Sequence, residues 1–107
     1  MSHICDITSM NYEIVVTNTF AKWHQNLKDR QAFKAISNRL LRAEAGNLGD
    51  IKNVGNGISE MRIFVGAGYR VYFTIRQQLL IILLNGGNKS TQDKDIVKAK
   101  QLIKTLE

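Results

Sequence analysis

"ISEMRIFVGAGYRVYFTIRQQLLIILL", residues 58–84, decides the fold. Three runs rich in β-branched and aromatic residues, 58–65, 69–76 and 79–84, predict three strands. Gly66-Ala67-Gly68 supplies the first turn and Gln77-Gln78 the second, so the strands form an antiparallel meander. Side chains alternate across a strand, which puts Met61, Ile63 and Val65 on one face with Tyr69, Val71, Phe73 and Ile75. A three-residue turn pairs Val65 with Tyr69, Ile63 with Val71 and Met61 with Phe73, building one apolar face. Arg62 then lies across from Tyr72, Phe64 from Arg70 and Glu60 from Thr74. A slip of one residue would mix the two faces.

Helices are expected to cover the apolar face. The opposite face then carries Glu60, Arg62, Phe64, Arg70, Tyr72, Thr74 and Arg76. Two readings of it stand side by side. An antiparallel sheet commonly solvates one face with charged residues. Alternatively, guanidinium groups hold phosphate by paired hydrogen bonds while rings stack on unpaired bases. Arginine and aromatics, with no lysine, favour taking the second seriously.

Upstream, Tyr12-Glu13-Ile14-Val15-Val16-Thr17 predicts a first strand. Phe20, Trp23 and Leu27 recur on one face of a short helix that Asn18 or Thr19 caps. Asp29 caps a second helix, striped by Phe33, Ile36, Leu40 and Ala43 and ended by Gly46. Trp23 reads as a packing residue and His24 as facing solvent. Residues 47–57 are turn-like, with a short strand at Ile51 and Val54. A last helix over about 91–106 carries Ile96, Ala99, Ile103 and Leu106, and Ser90 with Asp93 resembles a capping box. Strands segregated from helices read as α+β.

The whole chain of 107 residues suits one domain, 1–107, with residues 1–10 a loose lead. The apolar fraction of 44% and charged fraction of 22% are those of a globular protein. No secretory signal is legible at residues 1–6, and the apolar run 79–84 is too short to cross a membrane. The lone Cys5 reads as an ordinary small residue, in keeping with a reducing, cytoplasmic setting. A net charge of +6 favours an anionic partner: nucleic acid, an acidic protein or anionic lipid. No helix has a basic face strong enough to argue for a membrane.

The segment "LLNGGNKSTQDKD", 83–95, is not a P-loop. Aligning Lys89 and Ser90 with the lysine and hydroxyl of G-x-x-x-x-G-K-[ST] leaves Leu83 and Asn88 at the glycine positions. A helix N-terminus still favours anions, and Lys89 adds a charge there. Asp93 serves equally as an ordinary first-turn acid.

"GISEMRI" (57–63), "GAGYRVYF" (66–73) and "LLNGGNKSTQDKDI" (83–96) resemble the RelE/HigB-type toxins of bacterial toxin–antitoxin systems. The likeness is to the branch often labelled addiction module killer protein, and "GNLGDIKNVGNGISEMRI" (46–63) and "GGNKSTQDKDI" (86–96) are specific to it. The resemblance runs from about Tyr12 to the end. It implies a RelE-like fold: an antiparallel sheet of about four strands with two N-terminal helices and a C-terminal one. It also implies a cytoplasmic mRNA interferase that uses no metal or cofactor and acts on mRNA at the ribosome. The ribose 2′-OH attacks the adjacent phosphate and inhibits translation by cutting the message. The implied partners are mRNA, the ribosome and a cognate helix-turn-helix antitoxin, with DNA met only through that antitoxin.

By position in this sequence, the resemblance makes Arg70 the stabiliser of the phosphate and Arg62 the strand cation. Lys89 is the basic residue after the glycines. Glu60 is a candidate base and Asp93 a candidate for proton transfer. Lys52, Tyr72, Gln92 and Arg76 are candidate RNA contacts, with Tyr72 stacking on a base and Lys52 equally readable as a loop lysine. Relatives often carry a tyrosine or histidine in the C-terminal segment, where this chain has Gln92, Asp93 and Asp95; its histidines, His3 and His24, lie elsewhere. The competing reading is a non-catalytic RelE-like module that binds its antitoxin and co-regulates the operon.

Overall fold

The structure, a computed structural model, describes residues 11–106. The expectations for the lead 1–10, His3 and Cys5 fall outside the described residues. Strand β1 (Glu13–Val16) leads into helices α1 (Asn18–Gln25) and α2 (Arg30–Glu44). Strands β2 (Ile51–Gly55), β3 (Ile58–Ile63), β4 (Tyr69–Arg76) and β5 (Leu80–Asn88) follow, then a 3-10 turn (Lys89–Thr91) and helix α3 (Gln92–Thr105). The fold is α+β.

The sheet has five strands in the order β1-β5-β4-β3-β2. β2 to β5 form the expected antiparallel meander. β1 differs from expectation: it pairs with β5 in parallel, Val15 beside Ile82, so the sheet is mixed. Its chain leaves through α1 and α2 and returns at the far edge as β2, so β1 and β2 are the edge strands and β5 lies inside, between β1 and β4.

Two layers of helices, not one, cover the sheet. α1 and α2 pack on Met61, Ile63, Val71, Phe73, Ile81 and Leu83 through Phe20, Ile36 and Ala43. α3 covers the opposite face, where Ile58, Tyr72, Ile82 and Leu84 meet Ala99, Ile96 and Ile103. This corrects the expectation of one covered face. The physical reason lies in β5, whose Ile81, Ile82, Leu83 and Leu84 are all buried. A strand apolar on both sides requires cover on both.

The strand expected over 79–84 runs further: Gly86 and Gly87 lie inside β5 (Leu80–Asn88), opposite Val71 and Arg70. A Cβ on Gly86 would collide with the Trp23 ring, and one on Gly87 with Asp95 and Thr91. Glycine therefore lets α1 and α3 close on the strand from both sides. Trp23 is a packing residue, as read from the sequence.

The first helix is capped by Thr17, one residue ahead of the expected Asn18 or Thr19. The Thr17 hydroxyl accepts from Phe20 N at 3.1 Å and donates to Leu84 O at 2.8 Å, tying the β1–α1 junction to β5. Asp29 caps α2 as expected, accepting from Ala32 N at 3.1 Å, and Gly46 at φ 99° follows its end. The Ser90–Asp93 box does not form. Asn88 and Thr91 cap the 3-10 turn reciprocally instead, because that turn precedes α3.

His24 is half-buried rather than fully solvent-facing. Its ring stacks on Phe33 at 4.3 Å and lies 5.5 Å from Phe20, with Ser37 Oγ 3.3 Å from Nε2. Burial, chiefly, holds its pKa below the ordinary 6.5, with nearby Arg30 acting in the same direction. The unfolded chain therefore binds this proton more readily. His24's contribution to stability is complete above about pH 6.5 and is lost as the pH falls through the folded-state value. Denaturant titrations at falling pH should show this loss, and His24→Gln should flatten the slope.

Gln77 and Gln78 form the β4–β5 turn with φ of 57° and 64°. They are the central residues of a turn closed by Leu79 N donating to Arg76 O at 3.2 Å, in a three-residue connection, 77–79, between the paired Arg76 and Leu80. Two successive residues at positive φ favour Asn-Gly. Gln78→Gly should relieve this and stabilise the protein by about 1 kcal/mol, a rise of several degrees in Tm.

Candidate functional site

The β3–β4 register sets the site. Met61 pairs with Val71, Arg62 with Arg70 and Glu60 with Tyr72, two residues from the expected pairing. The connection spans 64–68, because Gly66 and Gly68 both take positive φ, 53° and 77°, and curl the chain through a longer loop. A shift of two keeps every side chain on its face. Its consequence is chemical: two arginines now stand directly opposite one another. Cross-strand partners have Cβ atoms about 4.5–5.5 Å apart, and like charges there repel.

Each arginine has its own carboxylate. Arg62 Nη2 donates to Asp50 Oδ1 at 3.0 Å, both side chains being about one-third exposed. Arg39 steadies the same segment, donating to the carbonyls of Arg62 at 2.7 Å and Leu48 at 3.0 Å. Arg70 Nε lies 3.4 Å from Glu60 Oε2, and its Nη1 donates to Gly68 O at 3.3 Å. The Nε atoms of Arg62 and Arg70 are buried without an aligned hydrogen-bond partner. The Arg70–Glu60 contact is thus an ion pair rather than a directed bond.

These arginines line a cavity of about 400 Å³ together with Phe64, Tyr69, Lys89 and the 66–68 loop. Lys89 reaches it because Asn88 pairs with Tyr69, which sets the 3-10 turn beside the hairpin loop. Tyr69 donates to Asp29 Oδ2 at 3.3 Å, and burial with that carboxylate raises its pKa above the ordinary phenol value. Among the described residues, Arg62, Arg70 and Lys89 therefore do converge on one cavity.

Behind Arg70 sits an enclosed polar cluster. Glu60 is wholly buried. Its Oε2 accepts from Tyr72 Oη at 3.1 Å and from Gln92 Nε2 at 2.8 Å. Tyr72 is equally buried, and burial, then Glu60, pushes its phenol pKa well above the ordinary value. Its ring offers no face to a base, which corrects the stacking expectation: α3 lies over it. Gln92 likewise joins the first turn of α3 to Glu60 rather than facing outward alone.

The remaining candidates are dispersed. Asp93 is exposed in a second depression of about 270 Å³ beyond Lys89, lined by residues 89–94. Lys52 is exposed on β2 opposite Glu60. Arg76 ends β4, six residues from Arg70 and so about 20 Å along the strand. Sequence reasoning missed Asp50 and Tyr69. Asp50 follows a glycine turn twelve residues before Arg62 and carries no local signal. Tyr69 was read only as an apolar-face residue.

The description "phage derived protein Gp49-like (DUF891)" matches residues 29–104, which include every residue lining the cavity. An uncharacterized protein of Haemophilus influenzae is 50% identical over 97 residues, covering 91% of this chain and 98% of the relative. The chain therefore belongs to the Gp49-like phage-derived protein family, a family associated with toxin–antitoxin systems.

Proposed function

We propose that this chain is the toxin of a type II toxin–antitoxin pair and a ribosome-dependent, metal-independent endoribonuclease of the RelE/HigB type. The observation that carries the reading is the Arg62–Arg70 cross-strand pair lining one cavity with Lys89. A sheet places two guanidinium groups opposite each other at an energetic cost, and an anion between them offsets it.

In the proposed reaction the 2′-oxygen forms a bond to phosphorus as its proton leaves to a base. The bond to the 5′-oxygen breaks, and that oxygen takes up a proton. The products are a cyclic phosphate and a 5′-hydroxyl end. Arg70, Arg62 and Lys89 hold the charge that grows on the phosphoryl oxygens, the largest electrostatic need of this step. Glu60, enclosed behind Arg70, acts in this reading by orienting that guanidinium. Asp93, the exposed one of the two candidate carboxylates, takes part in proton transfer. Lys52, Gln92 and Arg76 remain proposed RNA contacts. The site acts in the cytoplasm, and a helix-turn-helix antitoxin neutralises it and carries any DNA contact.

Translating ribosomes mixed with purified protein, followed by mapping of RNA ends, test this directly. Reproducible cuts within codons, lost in Arg70→Ala, are expected. Ends identical to a protein-free control would reject it. The second reading, a non-catalytic module that binds its antitoxin, draws on the burial of Glu60 and Tyr72, which removes two candidate groups from the substrate's reach. It predicts tight antitoxin binding with no new RNA ends.

A further inference from the structure

The cavity has an aromatic lip that the reaction above does not use. Phe64 is 76% exposed, the most exposed large apolar side chain among the described residues. It follows the last residue of β3, and Val65 N donates to Ile63 O at 3.0 Å, closing a tight turn around it. Neither helical layer covers its ring. The Arg62 guanidinium, already held by Asp50, stands 5.8 Å from the ring centroid. Phe64 thus belongs to the same lining as Arg62, Arg70 and Lys89.

We infer that Phe64 is a stacking platform for an unpaired nucleobase next to the phosphate held by Arg62, Arg70 and Lys89. This rests on reading the cavity as a ribonucleotide site. A cationic groove with a ring at its edge is how single strands are held with little regard to sequence, because every base has a π-face. The neighbouring guanidinium braces the ring and enriches the contact. The buried Tyr72 cannot perform this task, and Phe64 shares the cavity with the three cations.

The test uses heteronuclear NMR on the full chain with two trinucleotides. One is a 2′-O-methyl RNA, which cannot be cut; the other is its analogue lacking the bases. Wild-type protein should bind the first about 5- to 100-fold more tightly than the second, with upfield shifts of the base protons. Phe64→Ala should erase that gap and Phe64→Trp should keep it. An unchanged gap in Phe64→Ala, with binding still lost in Arg70→Ala, overturns the stacking inference alone. If neither trinucleotide binds, or if Arg70→Ala binds both as wild type does, the cavity reading falls and the inference with it.

Discussion

Arg70→Ala is expected to lower mRNA cleavage by about 100- to 1,000-fold, the loss typical of removing one preorganised donor to a developing oxyanion. Growth arrest on expression should disappear with it. Arg70 sits in the middle of the arrangement: opposite Arg62 on β3, opposite Gly87 on β5, and in front of Glu60. Its removal also leaves a buried carboxylate with fewer partners. Arg70→Lys separates the two effects. Lysine retains a charge near Glu60 but loses the planar fork that matches phosphate. Cleavage should fall by at least about tenfold in Arg70→Lys while Tm stays within a few degrees of wild type. Full toxicity in Arg70→Ala would remove the cavity from the mechanism.

Glu60→Ala should be the most destabilising substitution at the site. The Glu60 side chain is 1% exposed and that of Arg70 13%. Deleting the carboxylate strands the Arg70 charge and deprives Tyr72 Oη and Gln92 Nε2 of their acceptor. Breaking a buried pair from one side typically costs about 3–5 kcal/mol. For a chain of this length that is a fall of about 10–20 °C in Tm, read by thermal melts. Glu60→Gln keeps an acceptor oxygen and should cost markedly less. If Glu60 acts on Arg70 by orienting it, Glu60→Gln retains measurable cleavage with an unchanged pH profile. A catalytic base would instead lose the acidic limb of that profile. A Tm unchanged in Glu60→Ala would contradict the enclosed cluster.

The two experiments bear on different layers of the molecule. Arg70 reports on the cavity floor, and Glu60 on the seam between the sheet and α3. Gln92 donates to Glu60 from the first turn of α3, so the helix that covers the second face also sets the guanidinium's footing.

Much of the β3–β4–β5 meander was legible because alternation is a strong signal. One slipped residue would bury Arg62 and Glu60's neighbours on the wrong face. The convergence of Arg62, Arg70 and Lys89 followed from the same alternation plus adjacency of the strands. The Asp29 cap and the Gln77-Gln78 turn were read from local chemistry alone. The misplaced features were those that depend on distant segments. Nothing near Tyr72 states that α3 lies over it, and nothing near His24 announces Phe33. The continuous run Ile81-Ile82-Leu83-Leu84 did hold the clue to a second helical layer.

The amino-acid sequence by itself determined the strand and helix identities and the two faces of the hairpin. It also determined which cations share a face, because these follow from periodicity and short-range sterics. Only the tertiary structure decided that the hairpin closes through five residues, which sets Arg62 against Arg70. It alone decided that Glu60 and Tyr72 are sealed beneath α3 while Phe64 is left bare. Those outcomes depend on how segments far apart in the chain exclude water from one another, and local patterns do not encode that.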